Sequence, residues 1–441
     1  MAIKNFKSEQ YSDLYKRNQL LFKSENEIKD ALKTDPKTRS LLIPVSFYEK
    51  ANWTTDDGSI GPGYKSYMEF IEAGTYISYP QLCLEEVHGM CAQGEPEVTL
   101  PKQLEYLKDY ATEENTSIVD LELKCVETLF KFGCGLLLTE IEEGIPTVDE
   151  IFKFKVYPGN KIIDFSTSIE NGNETFNWIL LDTTKRSFDY TTKTYSLLPL
   201  YRLLAIDADG NYYSAEFPQS MWSTFNILKP SSKYAVYPNV RGLVKEIPAV
   251  MFNIDDISAE YKISFIQHLI DLSLKIYKMD STLTVMQLQQ GSGHLVIKTS
   301  ENLPQKLAVG RGAIHVLKGE TDSEQYVTPD TSGMNVIKET LSELKQEATS
   351  FMYSLKNIEG SGVSMVISLQ SNTNSLKALV NIIGNAITRV IEKAGKLIDI
   401  SEDQIDFIPY SDFGSISAYQ ETIETNKVVE EVNTNVDQQQ Q

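Results

Sequence analysis

The stretch from Ile257 to Ile398 constrains this chain most, through the order of its parts rather than through any one residue. It opens with Ile257, Ile263, Ile266, Ile270, Leu274 and Tyr277 at mostly three- and four-residue steps, the spacing of one helix face. The pattern runs to about Leu288 and stops at Gly291-Ser292-Gly293, a strong breaker. Two β-like runs follow, HLVIK at 294–298 and AIHVLKG at 313–319. A second helical stripe reads Met334, Ile337, Leu341, Leu344, Ala348, Phe351 and Leu355. The Gly/Ser-broken segment NIEGSGVSM at 357–365 separates it from a third, with Leu376, Leu379, Ile383, Ile387, Val390, Ala394 and Leu397 on one stripe. Two helices around a small β module, then a connection and another long helix, suit a wall-lining part better than an enzyme scaffold.

Upstream, 6–33 reads as a polar helix with few apolar anchors. Tyr64, Tyr67, Met68 and Ile71 fit an amphipathic helix after the Gly/Pro turn at 58–63, and GEPEVTLP at 94–101 reads as a turn and a short strand. Leu104 to Leu138 reads as mainly helical, with Ile118, Leu121, Cys125, Leu129 and Phe132 on one face, ending at Gly133-Cys134-Gly135. The period then changes to two over 152–165, 176–184, 201–217 and 246–253, so 151–253 is a β-rich region, with DADG at 207–210 as a hairpin turn. IDFIPYSDF at 405–413 reads as one more strand, and NTNVDQQQQ as a disordered polar tail.

A chain of 441 residues holds several domains and an ample core. Its net charge of −20 is the unusual quantity. From Asp399 to Gln441 ten Asp/Glu face one Lys, so this segment carries −9 and the remainder about −11. Acidity opposes tight nucleic-acid binding, because affinity for a phosphate backbone comes from Lys and Arg. It suits a conduit whose wall repels phosphates. Solubility alone is the simpler account of the same charge.

Cys83, Cys91, Cys125 and Cys134 are too few for a disulfide scaffold, and Cys125 and Cys134 sit in apolar surroundings as small hydrophobes. The first residues lack an apolar h-region, and no apolar run approaches eighteen residues. No signal peptide or membrane span is therefore expected, and a cytosol-like compartment is.

Catalytic signatures are absent from the sequence: no Walker loop, GxGxxG, HExxH or GxSxG occurs. GSGH at 291–294 and GRG at 310–312 do not lead from a strand into a helix. The Cys83-x4-His88-x2-Cys91 spacing lacks a fourth ligand, and local packing explains it better than a metal. His268, beside the apolar stripe, reads as a core or subunit-contact histidine. Asp255 and Asp256, just before the long helix, read as N-terminal caps. No catalytic residue, metal ligand or cofactor is expected.

In this order the parts resemble the portal proteins of tailed double-stranded DNA bacteriophages, over roughly Phe47 to Leu397. YMEFIEAGTYISYP, the P-x-V-x-LP strand and LFKFGCGLLLTE resemble the portal wing. KVYPGNKIIDF resembles a further wing strand, with Phe165 where an aromatic is usual. EIPAVMFN followed by FIQHLIDLSLKIYKMDSTL resembles the lead-in to the first stem helix, and GSGHLVIK the strand that opens the clip.

The resemblance implies an α+β portal fold. The wing is 1–254, helical over 1–150 and β-rich over 151–254. Stem helices are 255–290 and 331–356, around a β-containing clip at 291–330. A tunnel loop at 357–373 leads into a long helix at 374–398, and a return strand and minimal acidic crown fill 399–441. It further implies a ring, usually of twelve subunits, at one capsid vertex, through which the genome passes in packaging and ejection.

Implied partners are the large terminase subunit, then head–tail adaptor and tail proteins, with major capsid and scaffold proteins around the ring. Double-stranded DNA would pass without sequence-specific binding and no membrane would be involved. The protein would be made in the host cytoplasm and end in the virion. The DNA-facing residues would be Asn357, Glu359, Gly360, Ser361, Gly362, Ser364, Gln370 and Asn372. Stem packing would fall to Ile263, Ile266, Ile270, Leu274, Tyr277, Ile337, Leu341 and Leu344, and clip contacts to His294, Lys298, Arg311, His315 and Lys318.

Elementary physics accommodates these expectations. A helix of about thirty residues spans roughly 45 Å, enough to wall a channel. The clip carries four Lys/Arg and five Asp/Glu, near neutrality, and Glu359 is the sole charge in 357–373. Gly360 and Gly362 would let that loop change conformation, although a plain helix–helix connection reads the same way. Other classes compete: a different head–tail connector or minor capsid protein, though adaptors are usually shorter and lack this order of elements, or a soluble enzyme, which needs a converging set of ionisable residues.

Overall fold

The computed structural model describes residue 6 and residues 8–43, 61–141, 152–170, 173–189, 193–238, 242–290, 294–299, 314–318, 323–327, 332–356, 363–401, 404–411 and 413. Its helices are α1 (Glu9–Leu21), α2 (Glu25–Thr34), α3 (Pro36–Leu42), α4 (Pro62–Ala73), α5 (Tyr79–Cys91), α6 (Ile118–Phe132), α7 (Gln267–Gln290), α8 (Ser332–Lys356) and α9 (Val363–Lys396). Its strands are β1 (Glu97–Thr99), β2 (Cys134–Ile141), β3 (Phe152–Pro158), β4 (Ile162–Glu170), β5 (Asn173–Asp182), β6 (Lys185–Asp189), β7 (Thr194–Leu198) and β8 (Leu200–Ile206). They continue with β9 (Tyr212–Pro218), β10 (Ala235–Val236), β11 (Ala249–Asn253), β12 (His294–Thr299), β13 (Ile314–Lys318), β14 (Ser323–Val327) and β15 (Asp406–Ile408). The chain is of mixed α and β composition, as expected. It divides into two compact units, one from Met1–Ser12, Leu84–Phe265 and Tyr353–Gln441, the other from Asp13–Cys83 and Ile266–Met352.

The first unit holds the larger sheets. One has the antiparallel order β10-β9-β8-β5-β4, a second the antiparallel order β11-β2-β3. The β8–β9 turn falls at 207–210, as the DADG signal predicts, with Asp207 Oδ1 accepting the Asp209 and Asn211 N–H groups at 2.9 and 2.8 Å. Helix α6 starts where Ser117 Oγ accepts the Asp120 N–H at 3.2 Å and Asp120 returns a bond to the Ser117 N–H at 3.0 Å, a reciprocal capping box. It ends at Gly133, whose φ of +73° is left-handed. The apolar run after it is strand β2, not the tail of a helix, and its Leu136, Leu137 and Leu138 are all fully buried. A strand covered on both faces loses the alternation that identifies a strand in sequence. The return strand is present: β15 pairs with β1.

Elsewhere the boundaries move. The 6–33 segment is two helices, because Glu27 accepts the Ser24 N–H at 3.1 Å and starts α2 afresh. Helix α7 begins at Gln267, ten residues after Ile257. Asn253 Oδ1 accepts the N–H groups of Asp255 and Asp256 at 2.9 and 3.1 Å, and the Phe265 N–H goes to the Leu129 carbonyl at 3.2 Å. The N–H groups of Asp255, Asp256 and Phe265 are thus spent on other partners, and Asp255 and Asp256 lie well before the first turn of α7.

Candidate functional site

The segment singled out by sequence begins with α7, in the second unit. Ile266, Ile270, Leu274 and Tyr277 are all buried, as the stripe requires, but they are covered by the same chain. The Tyr277 hydroxyl donates to the Ile71 carbonyl at 2.8 Å, and its ring meets Tyr76 edge-on at 5.7 Å. Ser273 donates to the Ile77 carbonyl at 2.8 Å, and the Thr75 N–H donates to Asp280 Oδ2 at 2.9 Å. Burial pushes the Tyr76 phenol up to about 12 and raises that of Tyr277 as well. A Cβ on Gly74 would stand 2.0 Å from Ser281 Oγ, so α4 and its C-terminal turn sit directly on α7. Ile263 lies before the helix and is 47% exposed, so it does not belong to this buried stripe.

Helix α8 carries Leu341 and Leu344 buried and Ile337 half-buried. Two polar links tie it to α7: His268 Nε2 lies 2.9 Å from Glu347 Oε1, and Lys345 Nζ is 3.3 Å from Asp280 Oδ1. These attachments are twelve residues apart on α7 but two apart on α8, on successive turns of neither helix. The His268 side chain is 64% exposed, which makes it a surface contact within the chain and not a core histidine.

Between the helices, β12 is the central strand of a three-stranded sheet, parallel to β13 and antiparallel to β14. Strand alternation puts His294, Lys298 and His315 at positions of one face and Lys318 on the other. Arg311 lies outside the described residues. Strand β14, SEQYV, is polar at three of five positions and gives little strand signal.

The segment expected as a loop at 357–373 is largely helical. Helix α9 starts at Val363, so Ser364, Gln370 and Asn372 are helical positions, while Asn357, Glu359, Gly360, Ser361 and Gly362 fall outside the described residues. The Ser/Thr/Asn content of 368–375 lowers helix propensity without stopping a helix that is anchored further on. From Leu376 the α9 stripe is buried: Leu379, Val380, Ile383, Ile387, Val390 and Ile391 are at most 1% exposed. Phe407 N–H donates to Thr388 Oγ1 at 3.1 Å, joining β15 to α9, and Lys393 pairs with Glu246.

Other polar clusters are committed internally. Arg202 forks onto Glu140, with Nη2 to Oε2 at 2.7 Å, and donates to the Tyr157 hydroxyl at 2.9 Å, on the wall of a cleft of about 280 Å³. Burial opposes its charge, yet the Glu140 carboxylate holds the guanidinium pKa above its ordinary value. A wider cleft of about 720 Å³ is lined by Phe6, Phe165 and Tyr261 with Glu9, Gln10 and Glu260. There the Tyr261 hydroxyl donates to the Ile162 carbonyl at 3.0 Å.

All four cysteines are free and buried, and burial pushes the Cys91 thiol up to about 12. The reading of Cys125 and Cys134 as small hydrophobes therefore holds. Among the described residues no group of three or more His, Cys, Asp or Glu converges to hold a metal ion, and no helix is long and apolar enough to cross a membrane.

No protein-family model matches the chain, and no curated protein matches it. Among solved structures, a chain of the neck of an empty GTA particle computed with C6 symmetry aligns over 85% of this chain and 90% of its own, at 10% identity and a TM-score of 0.34.

Proposed function

We propose that this chain is a portal protein, a subunit of a ring at one capsid vertex through which double-stranded DNA is packaged and ejected. The observation that carries the reading is the order of elements from α7 to α9. A helix of 24 residues, a three-stranded sheet, a helix of 25 residues and a helix of 34 residues follow one another along the chain. At 1.5 Å per residue these helices run about 36, 38 and 51 Å, lengths that wall a channel when copies stand side by side. In this reading α7 and α8 form the stem and the β13-β12-β14 sheet forms the clip. The role is structural rather than catalytic. The clip would dock the large terminase subunit during packaging and head–tail adaptors afterwards, in a ring of about twelve subunits placed in the virion.

Negative-stain imaging of the purified protein, with mass photometry alongside, tests the proposal. Closed rings of roughly twelve copies with a central channel are expected. A small oligomer holding a bound small molecule would sink the reading.

A further inference from the structure

Strands β5 and β8 are neighbours in the five-stranded sheet, paired in register down to Asp182 opposite Tyr201. The Thr183 N–H donates to the Leu200 carbonyl at 3.1 Å, and β6 and β7 then resume with Lys185 opposite Leu198. No residue is inserted between the two ladders. The β6–β7 hairpin is therefore the β5–β8 ribbon prolonged as an arm of five residue pairs, about 17 Å long. Among the described residues neither of its strands pairs with any other strand.

Because the register is unbroken, faces carry over. The positions of Leu180, Leu203 and Ala205 face a buried cluster that Trp178, Tyr201 and Trp222 pack against. The same alternation on the arm presents Arg186, Phe188, Tyr195 and Leu197. Phe188 packs on Tyr195 at 4.9 Å, and the Arg186 guanidinium lies 5.1 Å from the centre of the Tyr195 ring. Yet Tyr195 is 66% exposed and Leu197 71%. The core face of the sheet thus runs on past its cover, on a two-stranded ribbon that is marginal in water by itself.

Charge indicates what covers it. Residues 185–198 hold Lys185, Arg186 and Lys193 against Asp189, a net +2 in a chain of net −20, which leaves −22 elsewhere. Lys185 is already paired with Glu216 at 2.7 Å on the opposite face, so the other two cations stand with the apolar residues, as Arg186 does, and toward the turn, as Lys193 does. We propose that the arm is a subunit clasp, its Arg186/Tyr195/Leu197 face packing on an acidic surface of a second copy of this chain. The arm and its acceptor are different surfaces, so copies joined this way either exchange arms in a closed pair or repeat head-to-tail, the arrangement that closes into rings. The inference rests on the proposed ring for the order of the assembly, but not for the contact itself.

The test compares the full-length wild type with Tyr195→Ser/Leu197→Ser and with Arg186→Glu, by mass photometry across a concentration series at low and high salt. Far-UV circular dichroism and thermal melting check that the exposed substitutions leave each copy folded. The double variant should need at least about tenfold more protein to assemble, a loss of about 1.4 kcal/mol per contact. Arg186→Glu should weaken assembly most at low salt, where the charge term is least screened. Rings that form unchanged without the arm's apolar face overturn the clasp and leave the portal reading standing. A wild-type dimer that the double variant dissolves supports the clasp and overturns the ring. A wild type that stays monomeric at every concentration overturns the clasp and leaves a different protein as the occupant.

Discussion

Glu122 is the residue on which stability and pH meet. It lies on α6, is 3% exposed, and its Oε1 has no hydrogen-bond partner among the described residues. Burial pushes its carboxyl up to about 7. The folded chain therefore holds a proton there that the unfolded chain releases at the ordinary carboxylate value of 4.5. Where the folded state binds more protons, stability falls as pH rises. The contribution is whole below the unfolded value and is lost by the time the pH passes about 7, a swing of roughly 3 kcal/mol. Glu122→Gln removes the titration while keeping the shape. Its melting temperature should match the wild type near pH 4 and exceed it by several degrees near pH 8. Parallel melting curves at both values would show that the Glu122 proton does not matter to folding.

Among the elements, α9 joins strong helical patterning to a close fit. Gly384 lies in its buried half, and a Cβ there would stand 2.5 Å from Pro409 Cδ and 3.2 Å from the Phe407 carbonyl oxygen. Gly→Ala in a helix interior ordinarily gains about 1 kcal/mol. Here the opposing atoms are a rigid ring and a backbone carbonyl just after and within β15, and overpacking of that kind costs about 1–3 kcal/mol. Gly384→Ala should therefore lower the melting temperature, and a stabilised variant would mean that β15 gives way freely. The same helix marks what the sequence can disclose. Its stripe from Leu376 to Ala394 was legible because burial on one face repeats at helical spacing, and the same holds for Leu341 and Leu344 on α8. The first turns of α9 were not, since Ser368, Ser371, Asn372 and Thr373 look like a loop until the anchored half extends through them. The start of α7 was hidden for a different reason: its boundary is set by the distant Leu129 carbonyl, which no local pattern encodes. Ile263 followed that misplaced boundary into a helix that it in fact precedes. The β6–β7 arm escaped notice because TYSLL, exposed at every position, has none of the alternation that burial imposes.

For the whole molecule, charge decides how it treats DNA. The chain has 41 Lys and Arg against 61 Asp and Glu, and several cations are already held by acids, among them Lys33 by Glu72, Lys124 by Glu114, Lys155 by Glu113 and Arg202 by Glu140. Affinity for duplex DNA requires cations free to displace the counterions of the phosphates, and non-specific binders that have them reach Kd values of about 10⁻⁴ to 10⁻⁶ M at physiological salt. A chain of net −20 offers DNA a repulsive potential instead, and the proposed ring of many copies would multiply that charge. A channel gains from this, since a wall that held the backbone would stall a moving duplex. Mobility-shift titration of linear duplex DNA at about 0.15 M salt should show no complex at micromolar protein, with only faint retention when the salt is lowered. A Kd tighter than about 10⁻⁶ M would require a concentrated basic surface within the −20 chain, and would count against the proposed passage and for a protein that holds DNA.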